Sequence, residues 1–492
     1  MINERHLPKT QIKPPRYARF VSKRNFEKYK IPLMLTVLHI PMGVLFYRVT
    51  PLAILHQLAV ISLGLFWAFR KEVKLEKVAY VTAYIVGVEV LWRMAGAPIL
   101  YEVGKYAVTA IMVTALVQRG KLKTPTLPLL YFVFLLPACF LTISIYGLFD
   151  SRKMLSGTMS GPLLLFVSCW FFSHLKISRQ NLKKLLVTIA IPLISVGVAT
   201  LFFTVTIKDI QFTTESNDLT SGGFGPNQVS AMLGLGAFVC LAGYLLFKND
   251  FKNTLYLSIL ALFFTMQSVM TFSRGGMYNA IGGTLSILFF QMKNLGQGVK
   301  RFLLIAGLGS IFLLLIFPYL NNFTGGKLQE RFESTNTTNR VDILETDFQM
   351  FMESPVFGVG TGVSKYYREK FLGTWASSHT EFTRVVSEHG LLGIFSLVML
   401  GLTGLYNLRR QNTSMGKGLV AGAMIWGSLF MLNAGMRLAA PSFMWGLSFL
   451  TIVNFPMRRK PIFKRPPAMP RSNRRRKQLP PLPDPPENPG TD

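Results

Sequence analysis

The sequence predicts an all-α, polytopic integral membrane protein, a bundle of about 12–14 transmembrane helices with one long extracytoplasmic loop. Half of its 492 residues are hydrophobic and 15% are charged, whereas a soluble domain of ordinary composition carries about 25% charged residues. Apolar runs of about 17–22 residues recur through most of the chain and are long enough to cross a bilayer. Because lipid offers the backbone no hydrogen-bond partner, these runs are expected to be helices.

Apolar runs and polar segments together predict five regions. The first thirty residues are polar and basic, so no cleaved signal peptide is expected. An outer turn separates the predicted spans 126–148 and 160–174, and the last predicted span is 438–456. The regions are a basic cytoplasmic tail (1–30), a transmembrane bundle (31–319), an extracytoplasmic loop subdomain (320–388), C-terminal transmembrane helices (389–456) and a disordered, basic and Pro-rich cytoplasmic tail (457–492).

The net charge of +30 is concentrated in the two tails and in short loops on alternate sides of the predicted spans. Short loops rich in Lys and Arg remain in the cytoplasm, so both termini are predicted there. The basic C-terminal tail is expected to contact anionic lipid headgroups and not nucleic acid. The basic loops are 70–77, 117–124, 175–184, 248–253, 293–301 and 408–417.

Cys139, Cys169 and Cys240 all lie inside apolar runs. The sequence contains no CxxC pair and no His-rich cluster, so the three thiols are interpreted as small buried residues. No metal ion, redox group or other cofactor is expected.

Several arginines are predicted on the outer face, where the orientation rule disfavours cations. Arg274 lies between two spans, Arg437 lies in the last outer turn, and Arg340 lies in the long loop. A single arginine in such a place is commonly an interfacial residue that extends its charge to water. Several together predict a site for an anionic ligand, because arginine holds phosphate in a two-pronged, permanently charged contact.

Further cations are predicted on the same face. Arg152 and Lys153 are placed in the outer turn between two spans, and Arg93 lies near the outer end of the third span. Glu89 precedes Arg93 by one helical turn, so an ion pair within the bundle is the alternative for Arg93.

The long loop 320–388 holds nine of the 23 acidic residues against seven Lys and Arg. Arg340 begins a predicted helix in which Val341, Leu344, Phe348 and Phe351 share one apolar face, and Pro355 ends it. Asp342, Glu345 and Asp347 are interpreted as the wet face of this helix, lying along the membrane surface, and not as a metal site.

The loop ends in two short motifs. The segment 358–362, GVGTG, has no strand before it, so it is predicted to be a flexible turn that needs close backbone approach and not a nucleotide loop. His379 follows a run of small residues and precedes a short helix, which makes it a candidate working group. Glu381, Arg384 and Glu388 are spaced to pair with one another along that helix.

These segments, in this order, resemble the O-antigen ligase and O-antigen polymerase family of bacterial surface-polysaccharide assembly. The resemblance covers residues 220–400: GGFGPNQ at 222–228, SRGG at 273–276, Arg340 with its helix, the turn 358–362, His379, and Glu388 before GLLG at 390–393. The family usually has Asn directly after the histidine, where this chain has Thr380. That departure leaves the acceptor more open than the reaction class.

The resemblance implies a GT-C-like fold and a membrane glycosyltransferase without a metal ion. A glycan on a polyprenyl (undecaprenyl) diphosphate would pass to an acceptor hydroxyl on a glycan or lipid at the outer face of the plasma (inner) membrane of a bacterium. It implies Arg274 and Arg340 as diphosphate ligands and His379 as general base or acceptor-positioning group. Arg437 is a further diphosphate ligand, Glu381 a further catalytic candidate, and Asn227 and Arg384 are substrate-binding candidates. Polysaccharide-assembly proteins are the further partners that it implies.

Two other functions fit a polytopic bundle. A solute transporter should carry ionisable side chains or broken helices near the bilayer midplane, whereas here, apart from Glu89, Glu102 and a few histidines, the polar features gather at one surface. A non-enzymatic scaffold or flippase of the same pathway would need no cleft that joins His379 to the arginines. The sequence leaves ligase and polymerase activity, the sugar, the acceptor and the linkage open.

Overall fold

The computed structural model describes residues 16–97, 99–207, 211–216, 218–247, 249–292, 295–334, 340–373, 378 and 380–453. The chain divides after Val453, and the second unit, Asn454–Asp492, lies outside the described residues, as do residues 1–15. The described part is almost entirely helical, which confirms the predicted all-α polytopic class.

The first half of the chain forms nine helices and one short strand, and most helix ends fall within a few residues of the predicted spans. They are α1 (Arg16–Arg48), α2 (Thr50–Phe69), α3 (Leu75–Met94), α4 (Val103–Gln118), α5 (Thr126–Val133), α6 (Leu136–Ser173), β1 (Lys176–Ser178), α7 (Arg179–Thr206), α8 (Pro226–Leu246) and α9 (Phe251–Met270).

The second half adds nine helices and a second strand, with a π-helical turn, Phe312–Ile316, between α11 and α12. They are α10 (Gly275–Gln291), α11 (Leu295–Ile311), α12 (Phe317–Phe323), α13 (Lys327–Glu333), α14 (Arg340–Glu353), α15 (Ser364–Leu372), α16 (Glu381–Arg410), α17 (Ser414–Ala434), α18 (Ala439–Leu447) and β2 (Thr451–Val453).

Eight helical segments among the described residues are long and apolar enough to cross a membrane. Two shorter apolar helices, Pro32–Arg48 and Val103–Gln118, accompany them. The eight segments are α2, the α5–α6 pair, α7, α8, α9, Gly298–Phe323, α16 and α17.

Helix α8 lies at the centre of the bundle and is buried along most of its length. A Cβ at Gly234 would collide with the carbonyl of Gly276, so these two glycines let α8 and α10 approach at backbone distance. The Ser230 hydroxyl donates to the Ser273 carbonyl at 2.8 Å and satisfies it inside the bundle. Small residues and short hydroxyl bonds are typical of helix contacts in lipid.

Helix α6 corrects the prediction of two spans separated by an outer turn. It continues to Ser173 with one non-helical residue, Gly147, at φ 74° and ψ 163°. Arg152 and Lys153 therefore lie within a helix and not in a turn. The break falls at Gly147 because glycine adopts positive φ without the steric cost that other residues meet, whereas charged residues are tolerated in a helix.

The predicted last span, 438–456, is longer than the helix that forms there. All nine residues of α18 are buried, so this helix lies inside the bundle and need not cross lipid. The chain then continues into β2, which pairs in parallel with β1, Lys176 opposite Thr451. This two-stranded pair was not predicted, because three residues carry too little periodicity to identify a strand.

The predicted loop 320–388 is helical over most of its described length. Helices α13, α14 and α15 occupy it, and α16 begins at Glu381, eight residues before the predicted membrane span. Helix α16 bends at Gly390, whose backbone angles, φ 60° and ψ −140°, are not helical. The turns before this bend carry the polar side chains of the candidate site.

Candidate active site

The turn 435–438, between α17 and α18, carries Arg437. Gly435 opens it at φ 62°, a conformation that glycine adopts without strain. The carbonyl of Met436 accepts from Lys105 Nζ at 3.0 Å, and the carbonyl of Arg437 accepts from Arg93 at 3.1 Å. One charged side chain from α3 and one from α4 thus hold the backbone of this turn in place.

Glu381, at the start of α16, contacts the same turn from another helix. Its Oε2 accepts from the backbone N–H of Met436 at 3.2 Å. Arg384 bonds both Glu381 and Glu388, as the predicted spacing requires. Glu388 also accepts from the Ser364 hydroxyl at 2.7 Å. The first turns of α16 therefore form a ladder of two carboxylates bridged by one guanidinium.

The turn 358–362 docks on the bend in α16. Gly358 has φ 70°, and a Cβ there would collide with the backbone of Glu388. The N–H of Gly360 donates to the Glu388 carbonyl at 3.1 Å, and a Cβ at Gly390 would collide with the backbone of residues 355–358. The predicted close backbone approach is confirmed, and it fixes the position of the carboxylate ladder.

Asp347 in α14 is buried, with 2% of its surface exposed, so the prediction that it lies on a wet helix face was wrong. It pairs with Arg368 of α15 and accepts from the Thr383 hydroxyl at 2.6 Å and from Ser378 at 3.4 Å. The helix was predicted correctly. The face that carries Asp347 packs on α16 and α15, whereas Val341 on the predicted apolar face is 52% exposed, as a helix lying along a membrane surface would have it.

A cavity of about 200 Å³ opens between these elements. Two carboxylates, Glu381 and Glu388, line it, as do Gly435 and Ser378. Among the described lining residues the cations outnumber the carboxylates. This holds even if Asp347, which pairs with the lining residue Arg368, is counted with the carboxylates. The cationic side chains are Lys153, Lys365, Arg368, Arg384 and Arg437.

Arg437 is the lining cation that the 435–438 turn presents. Its Nη2 donates to the Ser378 carbonyl at 3.3 Å, which links the turn to the end of the long loop. Burial lowers the pKa of the Arg437 guanidinium from its ordinary value, and Arg384 acts in the same direction, whereas Tyr101 and Glu381 oppose the shift. An anion entering the cavity would relieve the cost of burying this charge.

The structure therefore brings Arg437, Glu381 and Arg384 of the predicted site residues together at one cavity. Among the described residues, neither Arg274 nor Asn227 lines it. Arg274 precedes α10, and its Nη1 donates to the Ser334 carbonyl of the long loop at 2.9 Å. Asn227 lies in the first turn of α8 and accepts from the Ser273 hydroxyl at 2.8 Å, so the segments 222–228 and 273–276 do meet.

For two of the predicted site residues, Arg340 and His379, the side chain lies outside the described structure. Arg340 begins α14, as predicted, but its side chain lies outside the described part. His379 lies outside the described residues. Its sequence neighbour Ser378 lines the cavity, and Thr380 is the N-cap of α16, its hydroxyl accepting from Phe382 N–H at 3.3 Å.

Sequence reasoning missed several cavity residues. Lys153 was assigned to an outer turn, and Lys365 and Arg368 were not singled out at all, although they share one face of a helix at i and i+3. Lys105 gave one signal, a lysine within an apolar run three residues after Glu102. Glu102 and Lys105 do pair, at 2.6 Å, and Arg93 pairs with Glu89 at 2.9 Å, as the sequence spacing allowed.

The described residues contain no group of three His, Cys, Asp or Glu side chains that could hold a metal ion. The fold and the cavity together define a multi-pass membrane protein with a cation-rich polar site under its longest loop.

A family model described as O-antigen ligase matches residues 255–398. This match supports the predicted resemblance to the O-antigen ligase and polymerase family over these residues, and that family carries out membrane glycan transfer of the O-antigen ligase type, with a lipid-linked glycan donor and an acceptor. It spans SRGG, Arg340, the turn 358–362, His379 and the carboxylate ladder. No curated protein matches this chain.

Proposed function

We propose that this protein transfers or polymerises glycan from a polyprenyl (undecaprenyl) diphosphate donor onto an acceptor hydroxyl at the outer face of the plasma membrane. The family match over residues 255–398 supports the reaction class. The observation that carries the proposal is the cavity in which Arg437, Lys153 and Lys365 accompany the Glu381–Arg384–Glu388 ladder.

The donor's leaving group explains why such a cavity would carry excess positive charge. As the glycosidic bond breaks, negative charge grows on the lipid diphosphate, and fixed cations stabilise it best where water is largely excluded. Arg437 is partly buried and its backbone is bonded to Arg93, so little reorganisation is needed when the charge develops. Arg274 and Arg340 are proposed as further diphosphate ligands at the family's motif positions.

Proton removal from the acceptor is assigned to His379. A positioned histidine near its ordinary pKa can take the hydroxyl proton as the oxygen attacks the anomeric carbon. Support comes from Ser378, its neighbour in sequence, which lines the cavity and whose carbonyl accepts from Arg437. Glu381 is the second candidate, although its carboxylate already accepts from Arg384 and Met436 N–H.

Asn227 and Arg384 are the proposed substrate-binding residues. Arg384 is held between Glu381 and Glu388, so its contribution is the orientation of those carboxylates as well as any contact with the glycan. Asn227 lies beside Ser273 and thus next to Arg274, where it would contact the part of the donor closest to the diphosphate.

The transporter alternative is less well supported by the same geometry. Glu89, Arg93, Glu102 and Lys105 are the buried charges that a transporter would use in its pathway. Here they pair with each other and bond the 435–439 backbone. Groups engaged in this way serve the turn that carries Arg437, which favours the enzyme.

The test is transfer by the purified protein in liposomes that contain a polyprenyl-diphosphate-linked glycan and a lipid or glycan acceptor. Product on the acceptor with release of polyprenyl diphosphate supports the proposal. Donor that moves across the bilayer without bond cleavage supports a flippase. In a deletion strain, long chains stranded on the carrier indicate a ligase, whereas single repeats on the acceptor indicate a polymerase.

A further inference from the structure

Four backbone groups in five consecutive residues, 435–439, are bonded to charged side chains from three other helices. The carbonyls of Met436 and Arg437 accept from Lys105 and Arg93. The N–H of Ala439 donates to Glu89 Oε2 at 2.8 Å, and that of Met436 donates to Glu381. A turn of this kind is ordinarily held by its own backbone bonds or by water.

The charges that hold the turn are themselves buried and paired. Glu89 and Arg93 from α3 are 1% and 6% exposed, and Lys105 from α4 is fully buried. Arg93 pairs with Glu89 at 2.9 Å, and Lys105 pairs with Glu102 at 2.6 Å. Removing ions from water costs several kcal/mol each, and pairing often no more than offsets that cost, so stabilising the bundle is a poor explanation for this arrangement and another role is needed.

Gly104 supplies an independent observation. It is the second residue of α4. A Cβ at Gly104 would collide with the carboxyl group of Glu89. The absence of a side chain at this position is therefore what lets Glu89 reach across α4 toward the N–H of Ala439.

From this geometry we propose that Glu89 and Lys105 are positioning residues for Arg437. They touch no part of the cavity among the described residues, but they set the backbone of the turn 435–438 and hence the direction in which the Arg437 guanidinium enters the cavity. The inference rests on the proposed function, in which Arg437 binds the donor diphosphate. It assigns the buried charges of α3 and α4 to the site that contains Arg437.

The bonds from Glu89 and Lys105 to the turn hold Arg437 in a fixed position in the cavity before any ligand binds. Charge-assisted bonds to main-chain carbonyls fix the turn more firmly than neutral bonds would, and a misplacement of about 1 Å at a reacting site costs about 100-fold in rate. Glu89 and Lys105 therefore act through Arg437, and their effect on transfer should vanish when the Arg437 side chain is removed.

A double-mutant cycle tests this dependence. Arg437→Ala, Lys105→Met and the double variant are purified, and kcat/KM for the polyprenyl-diphosphate glycan is measured in liposomes. We expect a fall of about 100-fold for Arg437→Ala and of about 10- to 100-fold for Lys105→Met. The double variant should lie within about twofold of Arg437→Ala alone. Losses that multiply would overturn the proposal.

Lys105→Met leaves Glu102 buried without its lysine, so folding needs its own control. Gly104→Ala keeps every charge and displaces the Glu89 carboxyl group, so it should lower kcat/KM of the folded protein, with thermal unfolding measured to establish how much of the variant is folded. Gly401→Ala in α16, where nothing lies within 4 Å of the new Cβ, is the matched control. Lys327→Met removes a lysine from an exposed ion pair and should change neither measurement.

The outcomes separate the two proposals. Wild-type transfer by folded Gly104→Ala and Lys105→Met, with Arg437→Ala impaired, overturns the positioning role alone. Wild-type transfer by Arg437→Ala removes Arg437 from the proposed site. No transfer by the wild-type protein with any polyprenyl-linked glycan removes the proposed function itself.

Discussion

The guanidinium of Arg274 donates to the Ser334 carbonyl at 2.9 Å, although 60 residues separate them in the chain. Arg274 ends the connection between α9 and α10, and Ser334 follows α13 in the long loop. The bond therefore ties the SRGG segment to the loop that also carries Arg340, the second arginine proposed to hold the diphosphate.

Replacement of Arg274 by lysine tests whether its planar fork matters. Arg274→Lys keeps the charge but loses the two-pronged contact with phosphate, so kcat/KM for the donor should fall by at least about tenfold at unchanged protein level. Arg301→Lys is the control, since Arg301 bonds the side chain of Gln291 at 2.8 Å and lies near the opposite end of α10. Full activity of both Arg274→Ala and Arg340→Ala would remove these arginines from the diphosphate site.

Asp347→Asn should destabilise the loop subdomain. The change leaves the fully buried Arg368 without its carboxylate, and breaking a buried ion pair from one side typically costs about 3–5 kcal/mol. Thermal unfolding of the purified protein measures the loss. Asp342→Asn is the matched control, because Asp342 lies in the same helix and is exposed. Equal unfolding temperatures for the two variants would show that Asp347 does not hold α14 to α15.

Helix α14 also shows which structural features the sequence predicts and which it does not. The spacing of Val341, Leu344 and Phe348 predicted helix α14 correctly, because periodicity is a local property. The same pattern placed Asp347 on the wet face, which was wrong, because its partner is Arg368 of α15 and no periodicity in α14 can reveal a partner in another helix.

The membrane bundle shows the same division between local and long-range information. Hydropathy predicted most helices, because each span must satisfy its own backbone in lipid. It divided α6 wrongly at Arg152 and Lys153 and made α18 too long, since both depend on neighbours: α6 turns Lys153 toward the cavity, and α18 is buried by α6 and α17. The ladder Glu381–Arg384–Glu388 was predictable because i, i+3 and i+4 spacing is local.

Alanine substitutions at three glycines should separate steric collision from backbone strain. Gly358 and Gly390 have positive φ and face backbone atoms, whereas Gly373 has φ 65° with nothing within 4 Å. Gly373→Ala should cost about 1–2 kcal/mol for the left-handed conformation alone. Gly358→Ala and Gly390→Ala should cost more, with a lower unfolding temperature and lower transfer activity. Equal losses at all three positions would contradict the docking of turn 358–362 on α16.

Single-cysteine labelling tests the predicted orientation in intact cells. After Cys139, Cys169 and Cys240 are replaced by serine, an impermeant maleimide should react with Glu330→Cys in α13 but with Asn412→Cys, between α16 and α17, only after permeabilisation. Both positions are exposed, so access across the membrane alone decides the result. Labelling of Asn412→Cys from outside together with protection of Glu330→Cys would invert the topology.

His379→Ala tests the proposed general base. Because proton removal by a positioned side chain contributes about 10²–10⁴-fold, kcat should fall by that factor while donor binding and the unfolding temperature stay near wild type. His389→Ala is the contrasting variant. His389 is buried at the bend in α16, with 1% of its surface exposed, so its loss should lower stability and leave the kcat of the folded fraction largely intact.

A wild-type transfer rate for His379→Ala with a polyprenyl-diphosphate donor would exclude the general-base role, and the cation site would remain. Glu381 would then be the next group to test, with Glu381→Gln as the change. That variant keeps the acceptor oxygen for Met436 N–H but loses the negative charge beside Arg384, so it separates proton removal from support of the 435–438 turn. A fall in kcat with an unchanged unfolding temperature would assign the proton transfer to Glu381.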